Sequence, residues 1–146
     1  MTETNSTVAK EAATAAVTSW FDDIWSRGDM EAVDNVLDQN LAFVLSFNQT
    51  HGLDQFKKLL MINRTAFENL TYVGDEIVVD GNTAAAYWTM HTTKHRAPWN
   101  GVEPSGKEAS IHGMSFFHFG ENGKIVEIKV ISDLYGLMTQ IGGIKK

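Results

Sequence analysis

The side chains best placed to move a proton, Asp133, His112 and His118, lie in the last third of the chain. Asp133 stands where an apolar run gives way to Leu134-Tyr135-Gly136-Leu137-Met138. A carboxylate in a dry pocket acquires a raised pKa and serves as a general acid or base. At the start of a helix the same residue accepts from free backbone N–H groups, which favours its charged form. His112 and His118 share one face of an expected strand with Met114 and Phe116. Ser115 lies on the other face with Ile111, Gly113 and Phe117. Only one face can line a pocket. His118 is therefore a candidate catalytic group and His112 a candidate binding group on one choice of face, and Ser115 on the other. A bulge near the 120–123 turn would reverse the choice for His118.

His91 and His95 share a strand at a spacing that suits a metal only on a helix. On a strand they stand roughly 13 Å apart by rise, so no metal site is expected. Glu127 and Lys129 alternate with Val126, Ile128 and Val130, which puts the charged side in solvent or at an interface. The chain has no cysteine, which excludes disulfides, thiol nucleophiles and thiolate metal sites. Asn63 falls on the apolar face of an expected helix, where a buried amide needs a partner, a ligand carbonyl or the backbone. Trp20, Phe21, Trp25, Trp88 and Trp99 supply many large aromatics for core packing or for a ligand.

The elements that must position these groups are readable. Val17, Trp20, Phe21, Ile24 and Trp25 recur at helical spacing and predict a helix over about 7–27, capped by Ser6 or Thr7 and stopped at Gly28. Asp29 caps a second short helix. A strand is expected over 41–47 and a third helix from Gly52 to about Phe67. Strands follow at 72–79 and 83–95 around Asp80-Gly81-Asn82, then at 108–119 and 124–132, before a short terminal helix. Helices first and strands last give an α+β class: one domain over residues 1–146, with 1–6 expected to be disordered. A curved antiparallel sheet wraps the N-terminal helices as a half-closed cone that encloses a small-ligand pocket.

Composition narrows the partners. A net charge of −6 with no basic run disfavours nucleic acid and anionic membranes. No apolar run reaches membrane-spanning length. Residues 1–7 lack the basic start and apolar stretch of a signal peptide, so a cytoplasmic location is expected. The four Asn-x-Ser/Thr matches, at Asn5, Asn48, Asn63 and Asn69, read as chance.

Several motifs together resemble the SnoaL-like polyketide cyclases of the nuclear-transport-factor-2-like (cystatin-like α+β barrel) superfamily. They are Trp25-Ser26-Arg27-Gly28-Asp29, Gly52-Leu53, Lys94-His95 and Gly101-Val102-Glu103-Pro104-Ser105-Gly106-Lys107. Gly113-Met114, Gly123-Lys124-Ile125-Val126-Glu127, and Asp133 with the segment Gly136 to Gly142 complete the set. The resemblance spans roughly residues 15–142. It implies the cone-shaped fold, a homodimer through the outer sheet face, and a cofactor-free, metal-free aldol ring closure. In that chemistry an aspartate on the last strand works with a histidine on the strand before it. Here those positions fall on Val130 and Ser115, neither of which moves a proton at neutral pH. The resemblance also puts an aromatic, Trp25, over the ligand.

The expected function is thus cyclase- or isomerase-type acid/base chemistry on a small hydrophobic, carbonyl-bearing metabolite. Asp133 and His118 are the candidate catalytic groups. Trp25, Asn63, Trp88, His112, Ser115 and Val130 are the candidate binding residues. The alternative is a non-catalytic ligand-binding or dimer-forming module on the same scaffold.

Overall fold

The computed structural model describes residues 3–46 and 48–144. Helix α1 (Glu3–Ser19) passes without a break into a π-helical segment, Trp20–Trp25. The helix expected from residue 7 therefore starts earlier, so Ser6 and Thr7 lie inside it and cannot cap it. Residues 3–6, expected to be disordered, are helical, and Met1 and Thr2 lie outside the described residues. The π-turn is the second departure from a plain α-helix. Its bonds run from i+5 to i, as in Ser26 N–H to the Phe21 carbonyl at 3.0 Å. Residues five apart then come onto nearly one face, and the rings of Trp20 and Trp25 meet edge to face at 5.8 Å. Gly28, at φ +68°, ends the arm as expected.

Helix α2 (Met30–Val36) is capped by Asp29, whose carboxylate accepts from the Glu31 and Ala32 N–H groups. Strand β1 (Leu37–Val44) follows without a loop and starts earlier than expected; Phe47, placed in that strand by the sequence, lies outside the described residues. Then come β2 (Gln49–His51), α3 (Leu53–Ala66), β3 (Phe67–Glu68), β4 (Thr71–Asp80) and β5 (Thr83–Thr92). The chain continues through β6 (Lys94–His95), β7 (Ala109–Phe119), β8 (Ile125–Ser132) and α4 (Leu134–Gln140). The expected strand 83–95 is interrupted at Thr93. Beyond it, β6 leaves the main sheet to pair with β3, Phe67 opposite His95.

The main sheet has six strands in the order β2-β1-β8-β7-β5-β4. Every pairing in it is antiparallel except β1 with β8, so the sheet is mixed where a wholly antiparallel one was expected. The reason is topological. The chain leaves α2 directly into β1, alongside the last strand and in the same direction. The fold is otherwise the expected α+β cone, with a large curved sheet, N-terminal helices and a short C-terminal helix.

Period-two alternation decides which face holds the core. On β5 the buried residues are Ala84, Ala86, Trp88, Met90 and Thr92; on β7 they include Ile111, Gly113, Ser115 and Phe117. Trp88 has a glycine opposite it on both neighbouring strands, Gly74 on β4 and Gly113 on β7. A Cβ at Gly113 would fall inside the Trp88 indole, and one at Gly74 would meet the Phe21 ring at 2.8 Å. Bulky rings on the inner face thus need bare backbone beside them. Replacing Gly113 by Ala is expected to force the indole aside and lower stability by about 1–3 kcal/mol, read as a lower urea midpoint with an unchanged slope.

Candidate functional site

The sheet's inner face and the helices enclose a cavity of about 250 Å³. All four tryptophans of the chain line it: Trp20 and Trp25 from the π-turn, Trp88 from β5, and Trp99 from the loop after β6. Exposed Asn48, Ile62 and Asn100 mark its mouth. Among the described residues, no Asp, Glu, His, Lys or Arg lines it. Its polar groups are hydroxyls, amides and indole N–H groups.

Four of the residues that carry these groups brace the wall. The Trp88 Nε1–H donates to Ser115 Oγ at 2.9 Å, a buried bond across β5 and β7. The Trp99 Nε1–H donates to Asn63 Oδ1 at 2.9 Å, and Asn63 Nδ2 donates to the Leu59 carbonyl at 2.8 Å. Asn63 therefore has protein partners on both sides of its amide, and it ties the Trp99 ring of the long loop to α3. Tyr72, on β4, packs between Trp25 and Trp88, with ring centroids 5.1 and 5.2 Å away. Burial pushes its phenol well above the ordinary tyrosine pKa.

The π-turn's end is pinned by two residues. Arg64 Nη1 donates to the Trp25 carbonyl at 2.6 Å and the Ser26 carbonyl at 2.8 Å. Burial first, and then the nearby Arg96 guanidinium, lowers the Arg64 pKa from its usual value. The Ser26 hydroxyl donates to the Phe21 carbonyl, and Ser26 Oγ accepts from the Tyr72 N–H at 2.8 Å. Helix, α3 and β4 meet there.

The sequence-predicted residues separate cleanly by position. Trp25, Asn63, Trp88, Ser115 and Val130 line the cavity. Ser115 and Val130 are directly opposite each other across β7 and β8. His112 does not line it; its ring stacks on Tyr87 on the outer face, and its Nδ1 lies 3.0 Å from Thr89 Oγ1. His118 is also on the outer face, with Nδ1 3.1 Å from Glu127 Oε1. The bulge does occur, but between His118 and Phe119, so it does not bring His118 to the inner face. Asp133 is exposed and accepts from the Gly136 N–H at 2.8 Å as the α4 cap, while its neighbours Ser132 and Leu134 reach the cavity. The structure thus does not bring the two candidate catalytic groups together or place either on the cavity wall. His91 pairs with Glu108 at 2.8 Å, and His95 is buried on β6, its Nδ1 accepting from the Ser105 N–H. Among the described residues, no group of three or more His, Asp or Glu is gathered as metal ligands would be.

A family model for SnoaL-like polyketide cyclases matches residues 15–141. The chain belongs to the SnoaL-like polyketide cyclase family. Solved structures agree on the fold. A candidate SnoaL-like polyketide cyclase from Jannaschia sp. CCS1 is 19% identical, with 93% of this chain and 95% of that one covered at a TM-score of 0.84. TsrD from Streptomyces laurentii is 20% identical over 94% and 97%, with a TM-score of 0.79. AclR from Streptomyces galilaeus, a candidate hydroxylase, is 20% identical over 95% and 98%, with a TM-score of 0.75. No curated protein matches the chain. Among the described residues no helix is long and apolar enough to cross a membrane.

Within this SnoaL-like chain, the Trp25–Asp29 motif has a physical reason at each position. Trp25 faces the cavity, Ser26 binds Tyr72, Arg27 pairs with Asp23, Gly28 makes room for Arg64, and Asp29 caps α2. The sequence reading missed Tyr72, Ser26 and Arg64 as site-building residues. The alternation of β4 is broken by a bulge between Gly74 and Glu76, which blurred the inward signal for Tyr72. Replacing Arg64 by Gln is expected to strand two carbonyls at the helix end and cost roughly 1.5–3 kcal/mol. Chemical denaturation measures the loss, and a changed tryptophan emission in the folded variant reports the displaced Trp25.

Proposed function

We propose that the cavity takes a small, uncharged, carbonyl-bearing hydrophobic metabolite and that the protein promotes its ring closure or isomerisation without a cofactor. The observation that carries this reading is a cavity walled by four tryptophans and, among the described residues, no charged side chain. Flat aromatic walls suit flat apolar ligands, whereas an ionised ligand would lose its hydration there with no partner, which costs several kcal/mol. Family membership supports cyclase-type chemistry. An intramolecular ring closure is unimolecular, so a pocket accelerates it by selecting the reactive conformer and excluding water. A hydroxyl donor on a carbonyl oxygen adds to that by stabilising the developing negative charge. In this reading the acid/base pair implied by the family resemblance has no counterpart at Ser115 and Val130, and assistance comes from holding and hydrogen bonding.

A second reading is a binding module without turnover. It is favoured by the same lining, which among the described residues contains no carboxylate or imidazole. The two are separated by one experiment. Uncharged bicyclic ketones are expected to quench the intrinsic fluorescence, since every tryptophan lines the cavity. A linear 3,5-dioxo thioester is then followed for cyclised product with and without protein. Faster cyclisation supports the enzyme; quenching without acceleration supports the binding module; no quenching by any uncharged ketone removes both. Replacing Asp133 by Ala is expected to lower stability by about 1 kcal/mol through loss of the α4 cap, with quenching unchanged.

A homodimer through the outer sheet face belongs to the same proposal. Met114 is 54%, Phe116 42% and Ile131 69% exposed in the single chain, and Met114 sits directly opposite Ile131. Val78 adds to this patch through Ala85, which stands opposite both Val78 and Phe116. Contiguous exposed apolar side chains of this kind mark an interaction site. Sedimentation of the wild type should give twice the chain mass, and Met114→Glu should sediment as a monomer that still binds the ketones. A wild-type monomer at micromolar concentration removes the dimer.

A further inference from the structure

We propose that Tyr72 is the ligand-binding donor of this cavity, giving its hydroxyl hydrogen to an uncharged carbonyl oxygen and selecting ketones over carboxylates. The inference rests on the reading of the cavity as a small-molecule site and adds the residue and the selectivity to it.

The argument is one of donor strength and placement. Among the polar groups on the wall, the Trp88 and Trp99 indole N–H groups are already spent on Ser115 and Asn63. The Asn63 amide is engaged at both its oxygen and its nitrogen. The indole N–H groups of Trp20 and Trp25, the hydroxyls of Ser115 and Ser132 and the phenol of Tyr72 remain as donors on the wall among the described residues. Of these the phenol is the most acidic and so the strongest hydrogen-bond donor. The backbone N–H of Tyr72 donates to Ser26 Oγ, which leaves the phenol for what the cavity holds.

Its placement is rigid. The ring is held between Trp25 and Trp88, and the backbone of Tyr72 is clamped to Ser26, itself fixed by Arg64. A donor set on rigid elements loses little entropy when it binds. Burial keeps the phenol protonated across the physiological range, so it donates and carries no charge. Among the described residues, no cation lines the cavity to receive a carboxylate. A neutral acceptor oxygen therefore satisfies Tyr72 without burying an uncompensated charge.

The test compares 1-tetralone, which has a carbonyl, with tetralin, which lacks it, by quenching of tryptophan emission in wild type and Tyr72→Phe. The variant keeps the ring and its packing. The expected result is a loss of about five- to tenfold in tetralone affinity, with tetralin affinity unchanged. An unchanged affinity ratio overturns the role of Tyr72 while leaving the cavity reading intact. Failure of both compounds to quench the wild type overturns the cavity reading and this inference with it. In the wild type, 2-naphthoate is expected to bind far more weakly than tetralone; equal binding overturns the selectivity. The wild-type tetralone affinity should also stay flat from about pH 6 to pH 9, and a fall within that window assigns the donor to another group.

Discussion

The carbonyl end of the first helical arm is the point on which the rest of the structure depends. A helix leaves its last carbonyls without intrahelical donors, and buried ones must be satisfied from elsewhere. Here the arm ends under the sheet, and Arg64 reaches from α3 to the Trp25 and Ser26 carbonyls. Gly28 is part of the same solution. Its φ of +68° turns the chain, and a Cβ there would lie 2.5 Å from Arg64 Nε. Ser26 Oγ then accepts from the Tyr72 N–H while its hydrogen goes to the Phe21 carbonyl. One guanidinium and one hydroxyl thus fix the arm, α3 and β4 to one another, and the aromatic walls inherit their positions from that junction.

An apolar cavity in a small protein is a liability, because each ångström of unfilled space forfeits dispersion contacts. The chain does not collapse into this one because its walls are rigid. Trp20, Trp25, Phe43 and Phe56 pack against each other with centroids between 5.3 and 6.2 Å apart. Trp88 is wedged over glycine and tied to Ser115, and Trp99 is tied to Asn63. The large rings cannot rotate inward without giving up a hydrogen bond or striking backbone. The void is therefore maintained by the same contacts that order the core, and stability and binding are not separable properties of these residues.

Much of this was legible in the sequence. The helical stripe from Val17 to Trp25, the hairpin at Gly81-Asn82 and the alternation of β7 follow from local periodicity, and the alternation alone sorts Ser115 from His112. What was not legible depended on non-local geometry. A π-turn differs from an α-turn by one residue of bonding, and nothing in Trp20–Trp25 announces it. The parallel pairing of β1 with β8 joins segments more than 80 residues apart. The break at Thr93 arises because β6 finds a better partner in β3 than in the main sheet. Asp133 was readable as a cap or as a pocket acid from the same residues; only the direction of its carboxylate, toward the Gly136 N–H, separates the two.

The distribution of charge follows from the cavity's neutrality. The histidines at 112 and 118 and the carboxylate of Glu127 sit on the outer face, where water reaches them, while the inner face holds Ser115 opposite Val130. The resemblance places an acid/base pair at these two positions, which face each other across β7 and β8. An aspartate alone at 130 would be a buried carboxylate facing tryptophans, stripped of water and driven toward its neutral form. A histidine alone at 115 would lose the hydroxyl that accepts from Trp88. Serine with valine keeps the wall uncharged and leaves Trp88 satisfied, so the neutral pair is a coherent alternative design of the same strand crossing. Under the proposed function, a cavity built this way would recognise oxygen through hydroxyl donation and shape, with charge kept on the opposite side of the sheet.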